Sequence, residues 1–346
     1  MNEQSTAQWI ADHGATRLCD VIVLSHNVAL RDSDSAFIGD QANDRALADV
    51  LERLRAQMRA EGGDPFDGLP TGKLTKERLD NELNHGAPTT KALLRQAIEE
   101  FANRLAGVVR AFRQLAEWRR VEHLAIGGGF SGSGFGRCVI ERAGEILADT
   151  GPRLQPIHHP PDEAGLIGAA YLVCRWPSEW DSMLAVDLGG TKMRVGLLDV
   201  RPTGDDARLR ARVLKRNVWR HRSDRASREA IIDRLCRMLG ELAAAAAQGR
   251  RLSPVIGVGC PGVLRADGHI IAGTQNLPGN WEDPDFNLAE RLAAGVPELA
   301  GQRPRPVLHN DAVVQGLSEL PHMQHVSNWG IFTIGTGLGN ACFSWL

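Results

Sequence analysis

At 346 residues the chain is long enough for two lobes with sizeable cores, and 43% hydrophobic residues with both signs of charge describe a globular protein. A formal net charge of −2 argues against broad attraction to nucleic acid or to membrane surfaces. No apolar run approaches the length of a membrane span, and residues 1–15 lack the hydrophobic centre of a signal peptide, so the expected location is the cytoplasm. Six cysteines (Cys19, Cys138, Cys174, Cys236, Cys260 and Cys342) stand singly with no CxxC pair, which predicts reduced thiols and no zinc site.

In chain order, residues 1–20 read as helical, ending near Arg17, and 21–24 as a short strand followed by a polar stretch to Asp40. Residues 45–58 place Leu47, Val50, Leu51 and Leu54 on one helical face. Within the Gly/Pro loop at 62–72, GLPTGKLT imitates a phosphate-binding loop but has three residues between its glycines where four are needed. The longest helical pattern is 89–119, with Leu93, Leu94, Ala97, Phe101, Leu105, Val108 and Phe112 repeating on one side. A strand at 123–126 then enters GGGFSGSGFG (127–136), followed by a helix at 137–148. Gly127, Gly129 and Gly132 satisfy the dinucleotide-binding GxGxxG, but no clear acid-tipped strand follows at the distance a ribose requires. His158 and His159 are adjacent; in a strand such neighbours face opposite ways, which argues against a metal site. The remainder alternates strand and helix: a polar turn region at 199–212, a strand at 213–219, a helix at 227–247, a strand at 255–258, a helix at 288–294, a strand at 307–308 and a helix at 312–320. Such alternation indicates α/β lobes.

Two stretches carry the chemistry. Residues 183–200 (MLAVDLGGTKMRVGLLDV) read as strand, Asp-X-Gly-Gly-Thr turn and strand. Glycines let the backbone come close without a Cβ, so N–H groups and the Thr191 hydroxyl gather into an anion nest, and Asp187 at the strand end is placed to hold a hydrated Mg²⁺. Residues 331–343 (IFTIGTGLGNACF) repeat the scheme, and two such nests are able to grip the phosphates of one nucleotide. An ordinary Gly-Gly hairpin is the plainer alternative, but it requires neither the Asp before it nor the Thr after it.

The two turns resemble the phosphate 1 and phosphate 2 motifs of the sugar kinase, hsp70 and actin superfamily, and specifically the ROK family of sugar kinases and repressors. Between them GVGCPG (257–262), QNLPGNW (275–281) and HNDA (309–312) are similar to that family's G-x-P-G, N-L-P-G-W and N-D-A blocks, in the family's order. Residues 127–136 resemble its adenosine motif, and 162–173 (DEAGLIGAAYLV) its closing helix, where small residues permit close packing. The family's cysteine-rich zinc motif has no counterpart.

The resemblance implies ATP and Mg²⁺ as cofactor set and a sugar as second substrate. Gly189, Gly190, Thr191, Lys192, Thr336, Gly337 and Gly339 match phosphate positions, and Gly128 and Gly129 the adenosine side. Asp187 matches the Mg²⁺ position, and Gly262, Asn276 and Asn310 the sugar side. Asp311 matches the family's catalytic base; by residue type alone it reads equally as the cap of the following helix. His26 falls where the family has a sugar-binding histidine, although Val23 replaces the glutamate three residues earlier, and a surface histidine is the alternative. Asp40 approximates a second sugar-binding acid. Asn340 and Ala341 occupy usual glycine positions.

The motif order differs from the family's, since the adenosine motif precedes phosphate 1. The chain therefore resembles a circularly permuted ROK protein, with the two-lobed actin-like ATPase (ribonuclease H-like) α/β fold and a cleft between lobes. One lobe is expected at residues 183–310, the other at 1–182 joined with 311–346. The implied function is glucokinase-like, ATP-dependent phosphorylation of a hexose or hexose derivative, with a homodimer expected by resemblance. A catalytically weak sugar sensor is the rival reading, given Val23, Asn340 and Ala341. A ROK-type repressor is disfavoured because residues 1–20 are too short for a helix-turn-helix.

Overall fold

A computed structural model describes residues 10–201 and 210–346. The first half of the chain forms β1 (Val21–His26), α1 (Asp44–Ala60), α2 (Lys76–His85), α3 (Pro88–Phe112), β2 (His123–Gly127), α4 (Gly128–Ser131), α5 (Gly134–Leu147), β3 (Arg153–Pro156) and α6 (Ala164–Ala169). The second half forms β4 (Ser182–Leu188), β5 (Met193–Asp199), β6 (Arg212–Trp219), α7 (Arg228–Ala246), β7 (Leu252–Cys260), β8 (Val263–Leu264) and β9 (Ile270–Ala272). It ends with α8 (Leu288–Gly295), β10 (Arg305–Asn310), α9 (Asp311–Leu317), β11 (Asn328–Ile334) and β12 (Leu338–Trp345).

Two five-stranded sheets have the orders β10-β7-β4-β5-β6 and β1-β12-β11-β2-β3. In the first, β4, β7 and β10 run parallel and β5 is antiparallel to both neighbours. In the second, β11, β2 and β3 run parallel, and β1 is antiparallel to β12. By its contacts the chain divides into two compact units. One comprises Met1–Asn27, His158–Ser327 and Ala341–Leu346, the other Val28–Ile157 and Asn328–Asn340.

In the first unit β4 and β5 are buried at every position, as strands covered on both faces must be. Helix α7 starts at Ser227, whose side chain accepts the Ala230 N–H, and lays Ile231, Leu235, Met238, Leu239 and Leu242 against the sheet. Helix α6 packs on β4, β7 and α9. Its small residues are what allow this: a Cβ at Gly168 would strike the Val314 carbonyl, and one at Gly257 would sit 2.6 Å from the Ala169 carbonyl oxygen.

In the second unit α3 buries all seven apolar positions of the predicted stripe. Phe112 stacks edge-on against Trp118 and Phe332 at 4.9 Å, joining the helix to β11. Helix α1 is capped by Asn43, which accepts the Ala46 N–H at 2.9 Å. The 62–72 segment is a loop tied down by buried Arg55, which donates to both Asp64 carboxylate oxygens, the Leu69 carbonyl and the Thr71 hydroxyl.

Several expectations are corrected. Residues 1–9 lie outside the described part, and 10–20 form no helix. Their hydrogen bonds go to other segments instead: Ile10 bridges Val173, Ala11 N–H donates to the Leu172 carbonyl and Gly14 N–H to the Leu308 carbonyl. Cys19 and Cys174 are joined in a disulfide, so these two are not reduced thiols. Pairing across 155 residues leaves no local spacing signal. The long helix stops at Phe112, short of the expected 119, and a separate helix, α2, lies between it and the 62–72 loop. Most of the polar turn at 199–212 lies outside the described residues. No described helix is long and apolar enough to cross a membrane.

Candidate active site

In the first unit, β4 and β5 form the expected hairpin around Gly189–Lys192, paired from Ser182↔Asp199 to Leu188↔Met193. Gly189 N–H donates to the Lys192 carbonyl at 3.1 Å, and the His221 ring bonds the Gly189 carbonyl at 2.8 Å. The Thr191 carbonyl accepts the Arg222 N–H, leaving its side chain exposed. A Cβ on Gly190 would lie 2.9 Å from the Asn276 Cβ, so the QNLPGNW loop closes directly over the turn. That loop is shaped by Trp281, buried and donating to the Pro278 carbonyl, and by Glu282, which accepts from the Thr274 backbone and hydroxyl.

Asp187 is buried at the end of β4 and accepts from Arg194 Nη1 at 2.8 Å. Arg194 Nε donates to Asp162 at 2.7 Å, and Lys192 pairs with the same carboxylate. Burial raises the Asp187 pKa against the opposing pull of Arg194. Asp162, although partly desolvated, is held down at about 2 by hydrogen bonds from Lys192 and Arg194.

Strand β10 ends in Asn310 and Asp311. Asn310 is the cap: its Oδ1 accepts the Ala312 and Val313 N–H groups, while its Nδ2 donates to the Gly262 carbonyl at 3.0 Å. The capping duty thus falls to Asn310, and Asp311 is the first residue of α9, its carboxylate accepting the Ala312 N–H at 2.9 Å. Burial, and then the neighbouring Asp187 charge, push Asp311 up to about 7. Gly262 has φ +104°, and a side chain there would run into the Ala272 carbonyl, so this glycine is required by the β8–β9 ribbon. His26 closes β1 opposite Ala341, with its ring 5.6 Å from that of buried His309 in an edge-on arrangement. Burial lowers its pKa.

The second unit holds the other set. Between β11 and β12, Gly335 N–H donates to the Gly337 carbonyl, and the Gly335 carbonyl accepts the Asp44 N–H at the start of α1 at 2.8 Å. Gly128 has φ +77°, and a Cβ there would collide with the Ile334 carbonyl; one on Gly129 would lie 3.3 Å from Lys76 Nζ. The adenosine-like glycines and the Gly335–Thr336–Gly337 turn are therefore neighbours within this unit, with Gly339 following in β12. Asn340 is buried and exchanges two hydrogen bonds with the Val28 backbone, at 2.9 and 3.0 Å. Its place in a glycine position is a structural one. Asp40 is exposed and accepts from Asn43 at 3.1 Å; it belongs to this unit, whereas His26, Gly262, Asn276, Asn310 and Asp311 belong to the first.

Arg194, Asp162 and His309 escaped the sequence reading. Arg194 left a signal, a charge inside an otherwise apolar strand; Asp162 lies 25 residues upstream of Asp187 and left none. His158 and His159 are in a loop, not a strand, and both rings face His322, at 3.8 and 5.7 Å between centroids. His158 also bonds buried Glu319 at 2.6 Å, which raises its pKa. Among the described residues no group of three or more His, Cys, Asp or Glu side chains is placed to hold a metal ion.

The fold and site define a mixed α/β protein with two sheets and an acidic centre between a glycine turn and a capped helix. No family model matches the chain, and no curated protein matches it. Among solved structures it is similar to a ROK hexokinase from Thermus thermophilus, at 26% identity over 46% of this chain and 45% of that one, with a TM-score of 0.32. Two further matches are assigned as a sugar kinase from Cytophaga hutchinsonii ATCC 33406 (21%, 46% and 47%, TM-score 0.32) and an N-acetylmannosamine kinase from Listeria monocytogenes (25%, 48% and 49%, TM-score 0.31). The aligned part spans just under half the length of each of these chains.

Proposed function

We propose that the chain is an ATP-dependent sugar kinase of the ROK type, transferring the γ-phosphoryl group of ATP to a hydroxyl of a hexose or hexose derivative. The observation that carries this is Asp311: a carboxylate freed from capping by Asn310, held at the head of α9 and pushed up to about 7. A base of that strength takes a proton at neutral pH far better than an ordinary aspartate. Asp311 accepts the proton of the attacking hydroxyl while His26 and the Asn310 amide, one of whose two hydrogens is taken by the Gly262 carbonyl, hold the sugar. Asn276 bounds the sugar side and packs on Gly190. Gly189, Gly190, Thr191 and Lys192 face one part of the phosphates, and Thr336, Gly337, Gly128 and Gly129 serve the nucleotide from the second set.

Mg²⁺ fits the donor chemistry. In phosphoryl transfer the ion keeps several waters and takes phosphate oxygens, needing one or two protein carboxylates in place of a full cage, and when bound it neutralises charge developing on the phosphates. Asp187 is that carboxylate, its Oδ2 fixed by Arg194. Burial raises the pKa of Asp187 and, with the Asp187 charge added, that of Asp311; a divalent cation bound beside them would favour their ionised forms.

A circularly permuted, actin-like ATPase fold is part of the proposal, and strand order supports it. Read from its central parallel strand, the first sheet is laid down as β4, β5, β6, β7, β10. The same path through the second sheet is β11, β12, β1, β2, β3, with the chain's start falling between its second and third strands. The lobes proposed at 183–310 and at 1–182 with 311–346 follow that path; the compact units carry α6, α9 and the first 27 residues with β4–β10.

A coupled assay of ATP turnover over common hexoses and amino sugars tests the kinase reading. Sugar-dependent ADP release is expected. Sugar binding with no turnover makes the chain a sensor instead.

A further inference from the structure

Strand β10 is the edge of its sheet, and an edge strand needs a cover. Residues 10–15 supply one. Gly14 N–H donates to the Leu308 carbonyl at 2.9 Å, and Leu308 N–H donates to His13 Nδ1 at 3.1 Å. At the end of this strap sits His309, fully buried. Its Nε2 lies 3.0 Å from the Ala15 carbonyl oxygen, which accepts only, so Nε2 carries the proton. The other ring nitrogen, Nδ1, is then the acceptor, and it takes the Asn310 N–H at 2.8 Å. Burial keeps the ring neutral, with its pKa pushed down to about 4. The same ring meets His26 edge-on at 5.6 Å. One imidazole thus fastens the strap, the backbone of Asn310 and the flank of His26.

We propose that His309 is a positioning residue, which acts through Asn310 and His26 to set where the acceptor sugar lies relative to Asp311. This rests on the kinase reading above. The argument is one of geometry. Asn310 has both side-chain ends committed, to the α9 N–H groups and to the Gly262 carbonyl, so its place depends on the backbone that carries it. His309 holds that backbone through the Asn310 N–H. A phenyl ring of similar size fills the space but offers neither the donor to Ala15 nor the acceptor to Asn310. Displacements of about 1 Å in a reacting group lower rates by up to about a hundredfold.

Two measurements test it. Nitrogen-15 NMR of the wild-type ring should show the neutral, Nε2-protonated tautomer near neutral pH; an Nδ1-protonated or charged ring overturns the proposal without reference to catalysis. In steady-state kinetics His309→Phe is expected to raise the sugar KM about tenfold or more while the ATP KM stays within about twofold, with His309→Gln, which keeps a donor for Ala15, recovering part of the loss. A sugar KM left unchanged, or both KM values rising together, overturns it. Should His309→Phe not fold, a sugar KM raised about threefold or more in His309→Gln at constant ATP KM is the expected result, and equal effects on both substrates again overturn it. A wild type that phosphorylates no sugar sinks the kinase reading itself, whereas an active wild type with an indifferent His309 sinks only this inference.

Discussion

The two glycine turns have the same sequence logic and are supported in opposite ways. Around Gly189–Lys192 the support is charge: Asp187, Arg194, Asp162 and Lys192 form a linked set in which two acids face two bases. Around Gly335–Gly337 it is mainly neutral backbone: Asp44 N–H on the Gly335 carbonyl, Asn340 on Val28, and Gly128 pressed against Ile334, with one partly exposed Asp44–Lys76 ion pair alongside. Buried ion pairs contribute little net stability but fix geometry and tune pKa values, whereas neutral hydrogen bonds hold shape without altering proton affinity. Asp311 is pushed up to about 7 on the charged side, where its neighbour Asp187 adds to the effect of burial.

The largest expected effect tests the chemistry of the charged side. Asp311→Asn keeps shape but accepts no proton, and kcat should fall by about 10²–10⁴ with the fold intact by circular dichroism. Near-normal kcat would reduce Asp311 to an ordinary helix-terminal residue. In the wild type kcat should climb as pH rises through about 7, because only the ionised base accepts the proton. A flat profile there removes Asp311 from the rate-determining step.

Next comes the linked charge set. Arg194→Met strands the buried Asp187 carboxylate, and urea unfolding should show a loss of about 3–5 kcal/mol, less whatever Asp187 recovers by taking up a proton. Its counterpart in the neutral turn is smaller. Asn340→Leu leaves the Val28 N–H and carbonyl without partners and should lose about 1–3 kcal/mol. If Asn340→Leu proves the more damaging of the two, the contrast between the turns is wrong.

The smallest effect concerns the turn backbone. Gly190 does not have a positive φ, so Gly190→Val acts by bulk against Asn276 and by blocking the approach of a phosphate. An increase of about tenfold in the ATP KM is expected, corresponding to about 1.4 kcal/mol, alongside a stability loss of about 1–3 kcal/mol from the contact with Asn276. An unchanged ATP KM detaches this turn from the nucleotide.

Acid stability sharpens the same contrast from outside both turns. His309 is pushed down to about 4 from an ordinary 6.5, so the unfolded chain binds the proton first. Its contribution is complete above about pH 6.5 and is lost as pH falls towards 4, in all about 3 kcal/mol, which is measurable as a fall in the urea midpoint that is smaller in His309→Gln, where only the other buried histidines contribute.

The sequence by itself determined the elements whose signals are local. The stripe of α3, the α7 helix and the apolar β4–β5 hairpin all follow from spacing and turn chemistry within a few residues. The positions of the two glycine turns were legible for the same reason, since a turn's needs are written in the turn. Tertiary structure alone decided what depends on segments distant in sequence. Asp162 reaches Arg194 across 32 residues, Cys19 reaches Cys174 across 155, and Ala15 reaches His309 across 294. It also decided that Asn310, not Asp311, caps α9, because the Asn310 side chain reaches the Ala312 and Val313 N–H groups while its amide is held by Gly262 from another strand. Local patterns record what a residue's own backbone requires; partners brought together by folding leave no period in the chain to read.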